Sequence, residues 1–468
     1  MHGIALCSGP SDWEILQQKN GSAEVTLKGS YNVHPAALKV GVESVRPMYR
    51  IMREDDNSCV CPWTEMAHTT RSDFTGTFQH TFSVEAGGPY RIETTLETKS
   101  TVPNLTWLYR GDCVLHFGVG NVFLIAGQSN AAGYSRDYAP DPPSMDVHLY
   151  RNRGRWDLAC HPMNESTGAG SPANEEMGVP GVSPYLSFGK LFARTSGCPV
   201  GLVQAALGGS PISRWSPKDG DLYRNMLQKI RETHGQYAGI LWYQGCADCN
   251  PKDAPLYYSR FAEMVTALRK ELNCQIPFFT FQLNRMVGAA EDDCWGMVRE
   301  AQRKAALEIP GVFVLPTTNC PLSDSIHNSA AANLLLGEKL AKQCAHVLLG
   351  QPDFEAPDLK LAELTDPKTL RLTFSHMALG WIIPSCKGSD TGFTLEDEES
   401  EIGIDSIRYA RQNKNSMDLK LNRKPGKRPV LSFGWQANPV PFPPVDEVTF
   451  LPPLSFYRIP VVEKGDLS

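Results

Sequence analysis

Between residues 121 and 349 the chain repeats one alternation, and that repeat restricts the fold more than any other feature. The short runs "VFLIAG", "VGLVQAAL", "GILWYQG", "PFFTFQLN" and "GVFVLPTT" are apolar almost throughout, as strands buried on both faces must be. Longer amphipathic stretches lie between and after them: "SPYLSFGKLFART", "LYRNMLQKIRETH", "YYSRFAEMVTALRKEL", "MVREAQRKAALEI" and "AAANLLLGEKLAKQCAHVLL". Strands alternating with helices imply a parallel sheet with helices on both faces. The expected fold class is therefore α/β.

A chain of 468 residues is too long for one ordinary core. Before the α/β region, stretches such as "AEVTLKGSY", "GTFQHTFSV" and "YRIETTLET" alternate with period two between Gly, Pro, Asn and Asp turns, which predicts a small antiparallel β-domain. The same pattern returns after it in "KTLRLTFSH", "SIRYARQNKN" and "PVLSFGW". We expect a β-sandwich-like domain over 1–118, a catalytic domain over 119–350 and a second β-domain over 351–468.

Net charge is −6 with both signs interspersed, so no basic field argues for nucleic acid. No apolar run is long enough to span a bilayer, and the start "MHGIALCSGPSDWE" lacks the pattern of a signal peptide. The 13 cysteines are odd in number and scattered, which fits a reducing compartment, and a cytoplasmic placement is expected. The close pairs Cys59/Cys61 and Cys246/Cys249 have no second pair at zinc-finger spacing. Neither a metal nor an organic cofactor is expected.

In an open parallel sheet, ligands bind beyond the carboxyl ends of the strands. The first strand there ends in Gly127-Gln128-Ser129-Asn130, the second in "GGSPISRW" with Gly208 and Gly209, and the third in "YQGCADCN" beginning at Gln244. The fifth is followed by "TTNCPLSDSIHNSAA", which holds Asp324 and His327. Together these ends supply a hydroxyl nucleophile, a base to take its proton and an acid to orient the base, the set acyl transfer needs. Ser129 N–H, Gly209 N–H and the Gln244 amide are the candidate donors for a developing oxyanion. Each residue alone also has a plain reading: Asp324 as a helix cap, the glycines as a turn, Gln244 as a solvated loop residue.

Taken as a set, these blocks resemble the sialate O-acetylesterase and acetylxylan esterase group of the SGNH (GDSL-like) hydrolases. "FLIAGQSN" is similar to that group's nucleophile block, "LGGSPISRW" to the block carrying the oxyanion glycine, "LWYQG" to the third block and "DSIH" to the closing Asp-x-x-His. The resemblance implies a three-layer α/β/α core flanked by β-domains. It also implies a triad of Ser129, His327 and Asp324 removing O-acetyl groups from a carbohydrate. One position departs from the pattern: Cys246 stands where the group usually has Glu after Gln-Gly.

Beyond the triad, Gln128, Asn130, Arg214, Trp215 and Cys246 are candidate substrate contacts. Arg136 or Arg214 is a candidate to meet the carboxylate of an acetylated sialic acid, against the plain reading of a solvated surface arginine. Trp215, Trp242 and Tyr243 are candidates to stack on a sugar face, although aromatics at strand ends are more often packing residues. The competing reading is a carbohydrate-binding or scaffold protein that keeps the fold with weakened turnover, motivated by Cys246. A lipase-like esterase ranks lower, because the loops "SNAAGYSRDYAPDPP" and "CADCNPKD" are polar. The oligomeric state has no signature in the sequence.

Overall fold

The computed structural model describes residues 2–165, 168–176, 178–410, 413–440 and 442–463. The chain divides into two compact units. One comprises Met1–Phe123, Pro142–Cys160 and Gly189–Val203; the other comprises Leu124–Asp141, His161–Phe188 and Gln204–Ser468.

In the first unit a four-stranded antiparallel sheet is ordered Gly3–Ser8, Ser22–Asn32, Gly76–Glu85, His68–Thr70. A second antiparallel set pairs Val42–Arg53 with Cys59–Glu65 and with Gly87–Ser100. Inward residues of both sets, among them Leu27, Tyr31, Phe78, Tyr49, Ile51, Ile92 and Leu96, form one buried apolar cluster, as period-two patterning predicts. Gly87–Ser100 pairs in turn with strand β1 (Thr106–Gly127), which runs unbroken through the expected 118/119 boundary. This unit also holds a hairpin, Val147–Arg151 with Arg155–Leu158, whose first strand lies parallel to Val200–Val203.

Each of the five apolar runs carries a strand: the end of β1, then β2 (Val200–Gln204), β3 (Gly239–Tyr243), β4 (Phe278–Phe281) and β5 (Val312–Leu315). The amphipathic stretches form α1 (Tyr185–Ser196), α2 (Asp221–Glu232), α3 (Tyr257–Leu272), α4 (Asp292–Glu308) and α5 (Ala330–Leu349). Every residue of β3 and β4 is buried. Within the second unit, β3, β4 and β5 are parallel neighbours. Ala205 and Leu207 N–H donate to the Ile125 and Gly127 carbonyls, and Gln128 N–H donates to Tyr243 O. These bonds bring the carboxyl ends of the strands together in one unit. The architecture is mixed α/β.

The chain after α5 forms a five-stranded and a four-stranded sheet over a shared apolar cluster that includes Leu370, Leu372, Leu395, Met417, Leu431 and Phe456. Buried polar groups tie these sheets to the helices. Arg303 of α4 donates to Asp358 at 2.9 and 3.2 Å, and Gln282 exchanges two hydrogen bonds with the Ser455 backbone at 2.7 and 2.8 Å. Among the described residues no helix is long and apolar enough to cross a membrane, and all thirteen cysteines are unpaired.

Candidate active site

β1 leaves the sheet at Gly127, with φ +130°, where a Cβ would lie 2.3 Å from the Tyr243 carbonyl oxygen. Only glycine tolerates both conditions. A one-turn helix follows, Ser129–Ala132, in which the Ala131 and Ala132 N–H groups donate to Gln128 O and Gly133, at φ +90°, closes the turn. The first N–H groups of such a turn have no intrahelical acceptor. Ser129 therefore sits at a sharp strand-to-helix corner, 7% exposed.

On the loop after β5, the two oxygens of Asp324 do different work. Oδ1 accepts from the Ile326 N–H at 2.9 Å and the His327 N–H at 2.7 Å, shaping the turn, while Oδ2 pairs with His327 Nδ1 at 2.7 Å. Burial pushes the Asp324 carboxyl up, but the His327 side chain and the two backbone N–H groups outweigh it and hold the carboxyl below its ordinary range. Asn130 ties this loop to the Ser129 turn. Its Oδ1 accepts from Asn328 N–H at 3.1 Å and its Nδ2 donates to Ile326 O at 3.4 Å. The Tyr134 ring stands 5.3 Å from the His327 ring, and Arg136 Nε lies 3.7 Å from Asp324 Oδ2. Among the described residues no hydrogen bond joins the Ser129 hydroxyl to His327.

The two glycines after β2 are not equivalent. Gly208 N–H donates to Glu176 Oε2 at 2.9 Å, and the same carboxylate oxygen accepts from Asn164 Nδ2 at 2.8 Å. Burial, then the hydrogen bond to Glu176, pushes the Tyr134 hydroxyl far above its ordinary range. Gly209 has φ +66°, and a Cβ added to it would meet nothing within 4 Å, so its surroundings are open. Of the pair, Gly209 is the exposed one and Gly208 is half-buried.

Several expected roles change. Gln244 is fully buried, and its Nε2 is committed to Asp248 Oδ2 at 2.5 Å and Ser210 O at 3.1 Å, so it braces loops in place of offering an oxyanion donor. Gln128 is a brace as well, since its Oε1 accepts from Gly245 N–H at 2.9 Å and Ala247 N–H at 3.3 Å. Asn130, spent on the His327 loop, is likewise not a substrate contact. Trp215 is 0% exposed, donates to Ser210 Oγ and packs edge-on against Trp242 at 5.1 Å. It cannot stack on a ligand, and the buried Trp242 and Tyr243 cannot either. Arg214 is gripped by both oxygens of Asp221 at 3.0 and 2.6 Å, a bidentate pair that occupies its fork. Cys246 keeps some residue surface, but burial pushes its thiol up to about 12, so it is not a reactive nucleophile.

Asp248 is the residue that sequence reasoning passed over. Buried completely, it accepts from Gln244 and from the Ile212 N–H, and so fastens the loop after β3 to the loop after β2. Burial pushes its carboxyl up, against the pull of those hydrogen bonds. Glu176 and Asn164 were missed too, because they come from a loop without periodic signal and act only through partners distant in sequence.

Residues 119–346 match the family model described as "Carbohydrate esterase, sialic acid-specific acetylesterase". Among solved structures, a novel carbohydrate acetylesterase from Xanthomonas citri is 19% identical, with 97% of this chain and 99% of that chain covered and a TM-score of 0.64. A protein from Arabidopsis thaliana is 26% identical over 48% of this chain and 98% of its own, with a TM-score of 0.42. NanS is 14% identical over 49% of this chain and 98% of its own, with a TM-score of 0.40. No curated protein matches the chain. The first of these structures shows that the fold extends over nearly the whole length. Over residues 119–346 the chain is thus similar to the sialic acid-specific acetylesterase family of carbohydrate esterases, and the chain is a carboxylic ester hydrolase.

Proposed function

We propose that the chain removes O-acetyl groups from a carbohydrate by a Ser129–His327–Asp324 mechanism. The observation that carries this reading is the Asp324 Oδ2 to His327 Nδ1 contact of 2.7 Å, on a loop that Asn130 fastens to the Ser129 turn. With Nδ1–H held by Asp324, His327 Nε2 is left as the base. Ser129 Oγ attacks the acetyl carbonyl and its proton passes to His327 Nε2. The tetrahedral oxyanion is met by the N–H groups of Ser129 and Gly209, and collapse expels the sugar alcohol with the proton from His327. Water then repeats the cycle on the acetyl-serine, releasing acetate.

An acidic sugar is the favoured substrate. Arg214 is occupied by Asp221, whereas Arg136 lies beside Asp324 and is 43% exposed along its side chain. Its guanidinium also rests over Tyr134, 5.1 Å from the ring centre. Arg136, which donates to the Val179 carbonyl at 3.0 Å and keeps part of its guanidinium exposed, is a cation that a substrate carboxylate can meet at this edge of the site.

The test is acetate release from an acetylated sialic acid, acetylated xylo-oligosaccharides and an aryl acetate, by the wild-type and Ser129→Ala proteins. Release that the substitution reduces by several orders of magnitude is expected. Undiminished release by Ser129→Ala removes Ser129 from the mechanism, and a preference for the neutral oligosaccharide removes the acidic-sugar assignment.

A further inference from the structure

Four side chains between residues 346 and 376 meet at the end of α5. His346, in the last turn, directs Nδ1 at the Gln351 carbonyl at 2.9 Å. That bond leaves Nε2 as the outward ring nitrogen, the arrangement seen in metal-binding histidines whose other nitrogen is held by a backbone carbonyl. The chain reverses at Gly350, which takes φ +67°, and passes through Asp353, Phe354 and Glu355. Phe354 is buried, while the carboxylates on either side of it converge on the imidazole.

His346 Nε2 is 3.8 Å from Asp353 Oδ1 and 4.0 Å from Glu355 Oε1, and one ligand atom from each of the three residues lies within 4.8 Å of the others. His376, from just beyond the strand Thr369–Ser375, covers the other oxygens: its Nδ1 is 3.4 Å from Asp353 Oδ2 and its Nε2 is 3.5 Å from Glu355 Oε2. It does so from a backbone with φ +55°, uncommon for a residue with a side chain.

These separations discriminate between two states. A charge-assisted hydrogen bond closes to about 2.7–2.9 Å, and none of the four pairs reaches it. Ligands held at about 2.0–2.1 Å around a tetrahedral ion stand about 3.3–3.4 Å apart, and the two His346 pairs, at 3.8 and 4.0 Å, lie nearer to that spacing than to a closed hydrogen bond. Among the described residues, neither carboxylate has a Lys or Arg as an ion-pair partner. The ammonium group of Lys342, on the same helix as His346, lies over the Phe354 ring instead.

We infer that His346, Asp353 and Glu355 form a zinc-class divalent metal site, with His376 as the outer clamp on the two carboxylates. Mixed imidazole and carboxylate donors select a borderline ion over calcium or magnesium, which prefer oxygen alone. The bound ion would pin the end of α5, the connector after it and the strand Thr369–Ser375 to one another.

The full chain, stripped with a chelator and dialysed against Zn²⁺, is expected to retain one equivalent more than His346→Ala. Zn²⁺ should raise the melting temperature of the wild type and not of that variant. His376→Ala, which removes only the outer clamp, should weaken binding by about 10–100-fold. Should His346→Ala fail to melt cooperatively, the near-isosteric Glu355→Gln takes its place and must show the same loss. Equal zinc content in wild type and variant, or displacement of Zn²⁺ by equimolar Ca²⁺, overturns the assignment.

Discussion

Asp324→Asn separates the two tasks of this carboxylate. In the native loop Oδ1 alone receives both backbone N–H groups, from Ile326 and His327, and Oδ2 alone meets the imidazole. An asparagine that keeps its oxygen where Oδ1 was preserves the turn and places its NH₂ against His327 Nδ1. That nitrogen must then accept, so the ring proton moves to Nε2, and Nε2 can no longer take a proton from Ser129. In enzymes with this triad the same tautomer reversal lowers kcat about 10⁴-fold, which is about 5.4 kcal/mol of barrier.

Folding should suffer far less. Both backbone donors stay satisfied, and the lost hydrogen bond to the carboxylate is partly exposed, with 30% of the Asp324 side chain open to solvent. We therefore expect less than about 1 kcal/mol of destabilisation. The assay is kcat for acetate release, set beside a urea denaturation midpoint on the same samples. A variant within tenfold of wild-type kcat refutes the proposed role of Asp324. A variant equally slow but grossly unstable refutes the division of labour between the two oxygens.

Gly208→Ala and Gly209→Ala should differ in kind. A Cβ at 208 would stand 2.6 Å from Glu176 Oε1 and 3.0 Å from the Tyr134 hydroxyl, displacing the brace and lowering kcat, whereas one at 209 meets nothing and costs about 1–2 kcal/mol through its left-handed backbone; kinetics and thermal melts of the two proteins check this. Asp324 and Asp248 should give opposite pH dependences of stability. The lowered Asp324 carboxyl stabilises the fold above its ordinary value of 3.8 and loses that contribution as pH falls through its depressed value, so the gap between wild type and Asp324→Asn should close in acid. The raised Asp248 carboxyl contributes fully below 3.8 and loses its contribution as pH rises through its elevated value, so the gap to Asp248→Asn should close toward neutral pH; urea denaturation at about six pH values from about 3 to about 7 reads both. Arg136→Gln should raise KM for an acetylated acidic sugar about tenfold or more, the loss of one charge-assisted pair, and leave KM for an aryl acetate unchanged.

The five buried strands were legible because parallel strands covered on both faces are written as apolar runs. The hairpin after Pro142 was not. Its first strand, "VHLYR", is buried throughout, yet it carries a histidine satisfied by the Trp13 and Met145 carbonyls and an arginine paired with Asp157. Partners supplied by tertiary structure hide such a strand from any reading of hydropathy alone. The site divides the same way. The residue types at the strand ends indicated acyl transfer, but which amide is spent on bracing depends on Asp248 and Ser210, one of them a buried carboxylate whose donors are fixed only when two loops meet. Trp215 follows a motif glycine pair, where a sugar-stacking contact is expected, but its indole N–H reaches Ser210 from inside the core.

Cys246, where related esterases usually carry Glu, first suggested a weakened enzyme. The surroundings explain why no acid is needed at that position. Arg299 is fully buried nearby, and burial pushes its guanidinium down to about 10. It donates to five carbonyl oxygens, those of Leu283, Asn284, Gly434, Trp435 and Gln436, at 2.6–3.1 Å. A glutamate at 246 would enter this interior needing a cation, and the available one is already saturated by backbone acceptors that would be stranded if it turned away. A neutral thiol makes no such demand. The loop itself is held without residue 246, through Gln128 receiving the Gly245 and Ala247 N–H groups and through Asp248 joining Gln244 to Ile212. The substitution is thus matched by its neighbours, and it gives no ground for reading the chain as a binding protein that has lost its chemistry.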